Sequence, residues 1–449
     1  MARPTPLSGF PEWLPADRAI EAHVIDVLRR TFELHGFAGI ETRAVEPVEE
    51  LLRKGETSKE VYLVSRLQDD DAADSSDRRL GLHFDLTVPL ARYVLENQGK
   101  LVFPFKRYQI QKVWRGERPQ DGRFREFYQA DIDVIGRETL PFHYEVELPL
   151  VMAEALAALP IPPVRIAVNN RKIAEGFYTG IGLTDVEATL RCIDKLAKVG
   201  ADAVAELLER EAGATPEQAR QALALAAITG DDAAVAERVR ALGVSTPLLE
   251  EGLTELVALV EAAAGRVPGV VVADLSIARG LDYYTGSVYE TTVEGHEDLG
   301  SICSGGRYDD LASDGATTYP GVGLSIGVSR LVARMLGAGL ATASRAVPTA
   351  VLVAVTDEEH RPASDAVATA LRARGIPCDV APTAAKFGRQ IRHADRLGIP
   401  FVWFPGADGT GEVKDIRSGD QTTADPASWT PPDDDRHPVV VAAAPAERA

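Results

Sequence analysis

The chain has 449 residues, of which 45% are hydrophobic and 26% are charged, which suits roughly three domains of ~150 residues with ordinary buried cores. No apolar run reaches the ~18 residues of a membrane span, and the N-terminal stretch lacks the apolar segment of a signal peptide. The formal net charge of -19 opposes unspecific binding of nucleic acid, so any RNA contact must come from a local basic patch.

Cysteine and histidine give no sign of a disulfide framework or a zinc site. Cys192, Cys303 and Cys378 are far apart and odd in number, which is typical of reduced thiols in a cytoplasmic protein. The eight histidines form no HExxH pattern and have no CxxC pair beside them. The sequence therefore predicts a cytoplasmic chain without a metal held by protein ligands.

The first part of the chain predicts a helix and then a sheet. Residues 17–35 repeat apolar side chains at helical spacing behind Asp17, a suitable N-terminal cap. An extended segment ends at Pro47, and the acidic stretch 66–79 predicts a mobile surface loop. Residues 80–135 alternate apolar and polar stretches rich in β-branched and aromatic side chains, which favours antiparallel strands joined by tight turns.

The composition changes twice in the remainder of the chain. From about Ala174 to Gly265 it is rich in alanine, leucine and glutamate at helical spacing, which predicts a helical module inserted into the sheet domain. Strand-like sequence then returns as far as Leu324 and is followed by a helix. After a linker at 337–348, strand-like and helix-like stretches alternate, which predicts a small α/β domain with a mostly parallel sheet.

The segment from Arg115 to Asp133 concentrates arginines around a Pro-Gln-Asp-Gly turn. Arg115 and Arg123 stand on opposite sides of this turn, where paired strands would direct both toward one site. Guanidinium groups suit polyphosphates because each presents a planar fork of N–H donors. The arginines alone are explained better by a solvated hairpin held by ion pairs, so the interpretation depends on the residues that follow them.

Four residues at alternating positions follow these arginines: Phe127, Gln129, Asp131 and Asp133. A strand places all four on one face. Phe127 offers a ring for stacking on a base, and a carboxylate with an amide can hold an amino group and an imidazole. The segment therefore predicts a phosphate site with a binding site for a small polar molecule beside it.

The segment ARGLDYYTGSVYE, from Ala278 to Glu290, places Arg279, Tyr283 and Tyr284 in strand-rich sequence. An arginine can hold a substrate carboxylate and neutralise charge that develops on a phosphate. Tyrosine hydroxyls can hydrogen-bond an imidazole nitrogen. In isolation, a structural arginine with core tyrosines is an equally good interpretation.

Three shorter segments give weaker signals. FDLT offers Asp85 and Thr87 as partners for an amino group, and SGGRYDDL has paired glycines that permit close approach of the backbone to a ligand. GVGLSIGVSRL carries Arg330 early in a helix. Each of the three also fits an ordinary strand end, turn or surface helix.

Together these segments resemble the histidyl-tRNA synthetases, a family of class II aminoacyl-tRNA synthetases. RGERPQDGRFREFYQAD is similar to motif 2 of that class and GVGLSIGVSRL to motif 3, while the stretch ending at Pro47 resembles the motif 1 dimer-interface segment. ARGLDYYTGSVYE and SGGRYD resemble two segments peculiar to the histidine enzymes. KFGRQIRHADRLGIPF resembles their anticodon-binding domain, so the resemblance covers nearly the whole chain.

The resemblance implies an α+β fold and a homodimer. The expected parts are a class II antiparallel-sheet catalytic core, a helical insertion and a C-terminal α/β anticodon-binding domain. Residues 1–173 and 267–338 are expected to form the core, 174–266 the insertion and 347–449 the anticodon-binding domain.

The resemblance also implies a role for each matching residue. The residues implied at ATP are Arg115 for the α-phosphate, Arg123 for the outer phosphates, Phe127 and Arg330 for the adenine, and Glu117. Those implied at histidine are Asp85, Thr87 and Gln129 for the amino group, and Asp133, Tyr283 and Tyr284 for the imidazole. Arg279 would serve the carboxylate and the transition state, so Arg279 and Arg115 are the expected catalytic residues.

The implied activity is that of a histidine-tRNA ligase. Histidine would react with ATP to give histidyl-adenylate and would then pass to the 3′ end of tRNA(His), with Mg²⁺ held mainly through the ATP phosphates. The tRNA contacts are expected on one basic helix face with Lys386, Arg389, Arg392 and Arg396. Without the family resemblance, that face is better explained as solvated surface.

Three alternatives fit less well. The strongest is the synthetase-like regulatory subunit of ATP phosphoribosyltransferase, a non-catalytic relative that lacks the C-terminal domain and usually an intact ATP site. A class II synthetase for another amino acid is disfavoured by ARGLDYYTG. A P-loop or Rossmann nucleotide enzyme is disfavoured, because no GxxxxGK[ST] occurs and the glycines near Gly337 follow a predicted helix and not a strand.

Overall fold

The computed structural model describes residues 5–52, 60–67, 79–119, 122–278, 283–406 and 410–442. Arg279 and residues 68–78 of the predicted surface loop lie outside the described residues. The chain divides into a first unit, Met1–Pro11 with Val24–Ala333, and a second unit, Glu12–His23 with Arg334–Ala449. Of the helices within the described ranges, none is long and apolar enough to cross a membrane.

A large sheet forms the centre of the first unit. Its strands and those of a smaller sheet are, in chain order, β1 (Ala38–Gly39), β2 (Val45–Pro47), β3 (Leu63–Val64), β4 (Leu80–Leu82), β5 (Phe105–Trp114), β6 (Glu126–Ile135), β7 (Val164–Asn170), β8 (Thr229–Gly230), β9 (Val271–Asp274), β10 (Ser287–Val293), β11 (Cys303–Tyr308) and β12 (Gly321–Gly327). The large sheet has the order β1-β5-β6-β12-β11-β10-β7-β9-β8 in the described part of the chain. Its neighbours pair antiparallel there except β1 with β5 and β7 with β9, which pair parallel. Strands β2, β4 and β3 form the smaller antiparallel sheet.

The helices from the N-terminus to the end of the large sheet are α1 (Pro15–Leu34), α2 (Val48–Leu51), α3 (Thr87–Asn97), α4 (His143–Ala157), α5 (Arg171–Gly180), α6 (Val186–Ile193), α7 (Leu196–Val199), α8 (Ala201–Glu211), α9 (Pro216–Ala226), α10 (Ala234–Arg240), α11 (Pro247–Ala264) and α12 (Val328–Gly337). Helix α4 packs against β7 and β12 and supports the sheet. Leu148, Val151 and Met152 of this helix are fully buried, as expected for a helix that is apolar nearly all round. At the start of the chain, Asp17 lies inside the first turn of α1 and is not its cap.

Helix α3 corrects the prediction that residues 80–135 consist of antiparallel strands joined by tight turns. Thr87–Asn97 is helical, and Val88, Leu90 and Val94 are buried at helical spacing. Asp85 Oδ1 accepts a hydrogen bond from the backbone N–H of Val88 at 3.1 Å, which satisfies one of the N–H groups left open at the start of a helix. A valine-rich, aromatic stretch therefore becomes a helix because of its cap and its packing.

Residues 171–264 contain helices α5–α11 and the two-residue strand β8. Several of these helices begin at a capping side chain. Thr215 and Gln218 form a capping box at α9, and Thr246 accepts a hydrogen bond from Leu249 N at α11. Helices α5 and α11 pack closely at Gly176, where a Cβ would lie 2.5 Å from Leu249 N. This region leads back into the large sheet through β9.

The second unit has its own sheet. Its elements are β13 (Ala341–Ala343), β14 (Val351–Val353), α13 (Arg361–Ala373), β15 (Cys378–Val380), α14 (Phe387–Leu397), β16 (Phe401–Pro405), β17 (Gly411–Asp415), β18 (Gln421–Ala424), α15 (Asp433–Arg436) and β19 (Val440–Ala442). The sheet order is β15-β14-β16-β17-β18. The three predicted strands pair parallel, and β17 and β18 add an antiparallel edge. The predicted linker contains β13, which pairs with β19 near the end of the described chain.

Candidate active site

Strand β6 carries the polar residues of the predicted site, and its neighbours determine which groups stand beside them. Gln129, Asp131 and Asp133 lie opposite Gly327, Ser325 and Gly323 of β12, and opposite Gln111, Gln109 and Arg107 of β5. Directly opposite residues project to the same face of an antiparallel pair. The register therefore gathers three amides, two carboxylates, a hydroxyl and a guanidinium on one face of the sheet.

Two glycines leave room for side chains on this face. A Cβ at Gly323 would lie 2.0 Å from Asp133 Oδ1, and a Cβ at Gly306 would lie 2.7 Å from Cδ1 of Tyr284. A Cβ at Gly305 would lie 2.0 Å from the carbonyl oxygen of Gly323. The paired glycines of SGGRYDDL thus admit a tyrosine ring and a neighbouring strand.

Two adjoining cavities open on this face. The larger, of about 380 Å³, is lined by all five residues predicted for ATP: Arg115, Glu117, Arg123, Phe127 and Arg330. The smaller, of about 100 Å³, is lined by six of the residues predicted for histidine: Asp85, Thr87, Gln129, Asp133, Tyr283 and Tyr284. Arg115, Gln129, Tyr283, Tyr284 and Ser325 line both cavities. The residues that the sequence assigned to two neighbouring ligands therefore lie at two neighbouring cavities, except Arg279, which is outside the described residues.

The arginines of the 115–125 segment divide into two groups. Arg115 donates from Nε to the carbonyl of Phe84 at 2.9 Å, and its guanidinium lies 5.2 Å from the ring centre of Phe127. Arg123 reaches Glu117 at 3.9 Å, a distance at which an exposed pair contributes little. Arg125 instead donates to the carbonyl of Glu117 at 3.1 Å and does not line the cavities. Arg115 and Arg123 are thus the arginines described in this segment that line the larger cavity and can bind a polyphosphate.

Arg330 is fixed on the far side of the larger cavity by backbone carbonyls. Its guanidinium donates to the carbonyl of Ser301 at 2.8 Å and to that of Leu299. It also lies against Gly122, where a Cβ would stand 3.2 Å from Arg330 Cγ. A guanidinium held in one orientation can stack on a planar ring.

Asp133 is held from two sides in the smaller cavity. Arg107 Nη2 lies 2.6 Å from Asp133 Oδ2, and both side chains are buried. The hydroxyl of Tyr308 donates to Asp133 Oδ1 at 2.6 Å. Each carboxylate oxygen has a second lone pair, so Asp133 can still accept from a ligand while its orientation is fixed.

Tyr283 and Tyr284 pack together, with ring centres 4.1 Å apart and hydroxyls 2.6 Å apart. Burial raises the pKa of Tyr283 above its ordinary value, and the nearby carboxylates add to the effect. Tyr283 is therefore a neutral hydrogen-bond donor at physiological pH, and its hydroxyl donates to that of Tyr284.

Asp131 is buried among groups that work against its ionisation. Its pKa is raised to about 7, chiefly by burial and also by the neighbouring Asp133 and Asp85, although Arg107 and the hydrogen bond from Ser325 oppose the shift. A carboxyl group with a pKa near neutrality beside a cavity is a common feature of functional sites.

Four residues of this site were not predicted in any role: Arg107, Asp131, Tyr308 and Ser325. Asp131 was placed on the correct face but given no function. The other three stand on β5, β11 and β12, and their proximity depends on strand register, which the sequence does not specify without knowledge of the pairing. Glu290, opposite Ser304 on β10 and β11, also lines the larger cavity.

The basic residues predicted to contact tRNA lie on and just before α14. Lys386, Arg389, Arg392 and Arg396 are exposed, and none has an ion-pair partner among the residues that the structure describes. Gln390 on the other side of the helix is buried and binds the backbone N–H and carbonyl of Val355 at 2.9 and 2.8 Å. The helix is therefore anchored by one face and presents the cations on the other.

Comparison with known proteins gives consistent matches along the chain. The family model for histidyl-tRNA synthetase matches residues 9–331, and the model for the anticodon binding domain matches residues 349–428. The histidine–tRNA ligase of Micrococcus luteus is 64% identical over 99% of this chain and 100% of that protein. The histidine–tRNA ligase of Thermobifida fusca is 53% identical over 95% of this chain and 98% of that protein.

Solved structures give the same result. Histidyl-tRNA synthetase from Nostoc sp. PCC 7120 is 36% identical, with a TM-score of 0.84 over 95% of this chain and 97% of that one. An ATP phosphoribosyltransferase regulatory subunit/histidyl-tRNA synthetase from Bacillus halodurans C is 19% identical, with a TM-score of 0.71 over 86% of this chain and 96% of that one. The second likeness is one of fold alone.

Proposed function

The chain belongs to the histidyl-tRNA synthetase family, and we propose that it is an ATP-dependent ligase that attaches histidine to tRNA(His). The observation that carries this proposal is the pair of adjoining cavities, one lined by the arginines and the aromatic ring suited to ATP and the other by the carboxylates and tyrosines suited to histidine. The regulatory-subunit alternative is not favoured, because the relatives of high identity over nearly the full length are histidine–tRNA ligases and the C-terminal anticodon-binding model also matches.

In the first step, a carboxylate oxygen of histidine attacks the α-phosphorus of ATP, and the bond to the β-phosphate oxygen breaks. The products are histidyl-adenylate and pyrophosphate. Arg115 holds the α-phosphate and Arg123 the outer phosphates, so that charge developing at phosphorus meets fixed donors. ATP enters as its Mg²⁺ complex, with the ion carried by the phosphates.

Histidine is held by three sets of groups. Asp85, Thr87 and Gln129 accept from or contact the α-ammonium group. Asp133 accepts a hydrogen bond from the imidazole, and Tyr284, with Tyr283 against it, contacts the other side of the ring. Arg279 binds the carboxylate and stabilises the transition state. This assignment divides the reaction into ATP binding by the 115–127 segment and histidine recognition by the 279–284 segment.

In the second step, a hydroxyl at the 3′ end of the tRNA attacks the carbonyl carbon of histidyl-adenylate and AMP leaves. We assign the anticodon contact to α14 and its cations. The catalytic core is assigned to 1–173 and 267–338, the helical insertion to 174–266 and the anticodon-binding domain to 347–449. The cytoplasm, where tRNA and ATP are available, is the proposed location.

We further propose a homodimer that uses the small sheet of β2, β4 and β3. Leu63, Val64 and Leu80 of this sheet are 61%, 40% and 41% exposed, and Leu67 just after it is fully exposed. A group of exposed apolar side chains of this kind commonly marks an interface. Light scattering is expected to give twice the 48.2 kDa mass of the chain, and a monomer mass would contradict the proposal.

Exchange of labelled pyrophosphate into ATP in the presence of histidine tests the first step directly. We expect exchange that depends on histidine and on no other amino acid. The Arg279→Ala variant should lose exchange while its circular dichroism spectrum stays unchanged. Faster exchange with a different amino acid, or none with histidine, would exclude the proposed activity.

A further inference from the structure

A chain of hydrogen bonds runs from Asp131 through Ser325 to Gln129. The hydroxyl of Ser325 lies 2.5 Å from Asp131 Oδ1, and Gln129 Nε2 lies 2.7 Å from Ser325 Oγ. Asp131 and Gln129 are buried, with 2% and 8% of their surfaces exposed. Strand register brings Ser325 directly opposite Asp131 on the pocket face.

The chemistry of these three groups determines which of them donates and which accepts in each hydrogen bond. Oδ1 of Asp131 accepts the hydrogen bond from Ser325, and a hydroxyl has only one proton to give. Because Ser325 donates that proton to Asp131, it can only accept from Gln129. The amide of Gln129 must therefore turn its NH₂ toward Ser325, a choice between two orientations that often rests on the hydrogen-bond network alone.

This orientation leaves Gln129 Oε1 on the side away from Ser325. The atom is buried and has no hydrogen-bond partner within the described residues. Gln129 and Asp85 both line the smaller cavity. A buried acceptor without a partner is costly, and an ammonium group, which offers only donors, would satisfy it.

We propose that Asp131 and Ser325 are positioning residues that lock the Gln129 amide with its oxygen toward the α-ammonium group of the amino-acid substrate. The proposal rests on the proposed function, since it assigns histidine to this cavity. The opposite amide orientation would present N–H donors to the ammonium group and repel it. Discrimination in favour of a substrate with an α-amino group thus depends on how Asp131 and Ser325 orient the amide of Gln129.

The test compares two ligands that differ only in the α-amino group, histidine and its deamino analogue 3-(imidazol-4-yl)propionate. Calorimetry gives the Kd of each for the full-length protein, and the ratio of the two is the readout. In Ser325→Ala the amide is free to turn, so the preference for histidine should fall about tenfold, while the Kd of the deamino analogue stays within about twofold. A merely structural effect would weaken both ligands together and leave the ratio unchanged.

Three further variants serve as a conservative replacement, a second test of the positioning role and a control. Ser325→Thr keeps the hydroxyl and should retain the wild-type ratio. Asp131→Asn can donate to Ser325 as well as accept, so it should lower the ratio by a smaller factor, and it serves if Ser325→Ala does not fold. Ser287→Ala removes a buried serine hydroxyl from β10, outside both cavities, and should leave the ratio unaltered.

The two proposals fail in different ways. A wild-type ratio in both Ser325→Ala and Asp131→Asn would overturn the positioning role and leave histidine activation standing. Failure of the unaltered protein to bind histidine would overturn both.

Discussion

Three carboxylates, those of Asp85, Asp131 and Asp133, line the smaller cavity, and the buried guanidinium of Arg107 interacts with the last two. Arg107 is 0% exposed and binds Asp133 directly. Its Nε and Nη1 have no hydrogen-bond partner in the described part of the chain, yet the positive charge opposes the rise in the pKa of Asp131. Arg107 therefore acts as an internal counter-ion for Asp133 and Asp131.

The first prediction concerns this counter-ion. Arg107→Met would leave Asp133 charged and buried without its partner, a change that typically costs about 3–5 kcal/mol. We expect a decrease of that size in the free energy of unfolding of the first unit, measured by urea denaturation. Arg107→Lys keeps a positive charge and should lose clearly less. Equal losses in the two variants would show that shape matters here and charge does not.

The second prediction concerns the pH dependence of stability at Asp131. Its pKa is about 7 in the folded protein against an ordinary 3.8, so between these values the folded state holds a proton that the unfolded state has lost. Wild-type stability should therefore fall as the pH rises through this range, by at most about 1.4 kcal/mol per pH unit. The charged and titratable groups that interact with Asp131 are Arg107, Asp133, Asp85, Tyr283 and Cys303.

Asp131→Asn cannot ionise and should escape this loss. The variant should gain stability relative to wild type as the pH is raised from 5 to 8, although it binds histidine less well. Urea denaturation of both proteins at each pH measures the difference. A difference that does not change with pH would show that Asp131 is already ionised at pH 5 in the folded protein.

At the scale of single residues, the sequence predicts which residues share one face of a strand. It does not predict which residues of different strands lie side by side, because that depends on strand pairing. Gln129 and Asp133 are two alternating positions apart on one strand, so their common face follows from the period of a strand. Arg107 precedes Asp133 by 26 positions and Tyr308 follows it by 175. These partners are specified by the β5–β6 and β11–β12 registers, and an error of one residue in either register would reverse every face.

Among the elements, the strands of the site were easier to predict than the helix beside it. The stretches FKRYQIQKVW and EFYQADIDVI form β5 and β6 over ten residues each, as their β-branched and aromatic content indicates. The stretch TVPLARYV has similar content and forms helix α3. The distinguishing signal was Asp85 three residues before Val88, whose backbone N–H it binds at the start of the helix. From the sequence, Asp85 was predicted to bind an amino group or to lie at a strand end.

The third prediction concerns the packing of β12 against β6. A Cβ at position 323 would stand 2.0 Å from Asp133 Oδ1, so Gly323→Ala must displace the carboxylate that the proposed function assigns to the imidazole. A shift of about 1 Å in such a group can cost about a hundredfold in rate, and we expect a loss of that order in kcat/KM for histidine in pyrophosphate exchange.

Gly99→Ala is the matched control, because a Cβ there meets nothing within 4 Å and the backbone is not in the left-handed region. It should retain the exchange rate of the unaltered protein. Equal activity in the two variants would mean that Asp133 can move without consequence.

For the molecule as a whole, the order of the motifs predicted the fold and the RNA partner better than the composition did. The class II synthetase fold predicted from the sequence is confirmed by the likeness to the Nostoc enzyme and by the two family models. The net charge of -19 by itself argues against an RNA partner. The cations of α14 are nevertheless exposed together on one face of a helix, and such a local patch can bind RNA whatever the total charge. Neither the added strands β17 and β18 nor the β13–β19 pair was predicted, because each depends on a pairing partner.

The last prediction follows from the proposal that the first unit carries out adenylation while α14 of the second unit contacts the tRNA. Arg392→Ala removes one exposed cation from α14, so it should raise the KM for tRNA(His) about fivefold, equivalent to roughly 1 kcal/mol. It should also reduce the dependence of log KM on log salt concentration by about one. Pyrophosphate exchange needs no tRNA and should be unchanged, since the residues assigned to adenylation all lie in the first unit.

Arg361→Ala provides the control for net charge, because it removes an arginine from α13 of the same unit that is already paired with Glu358 at 2.6 Å. An arginine engaged by a neighbouring carboxylate has less to offer a phosphate than one without a partner. The KM for tRNA(His) should therefore stay near that of the unaltered protein. If Arg361→Ala and Arg392→Ala raised it equally, the loss would come from total charge, and the face of α14 would have no particular role in binding.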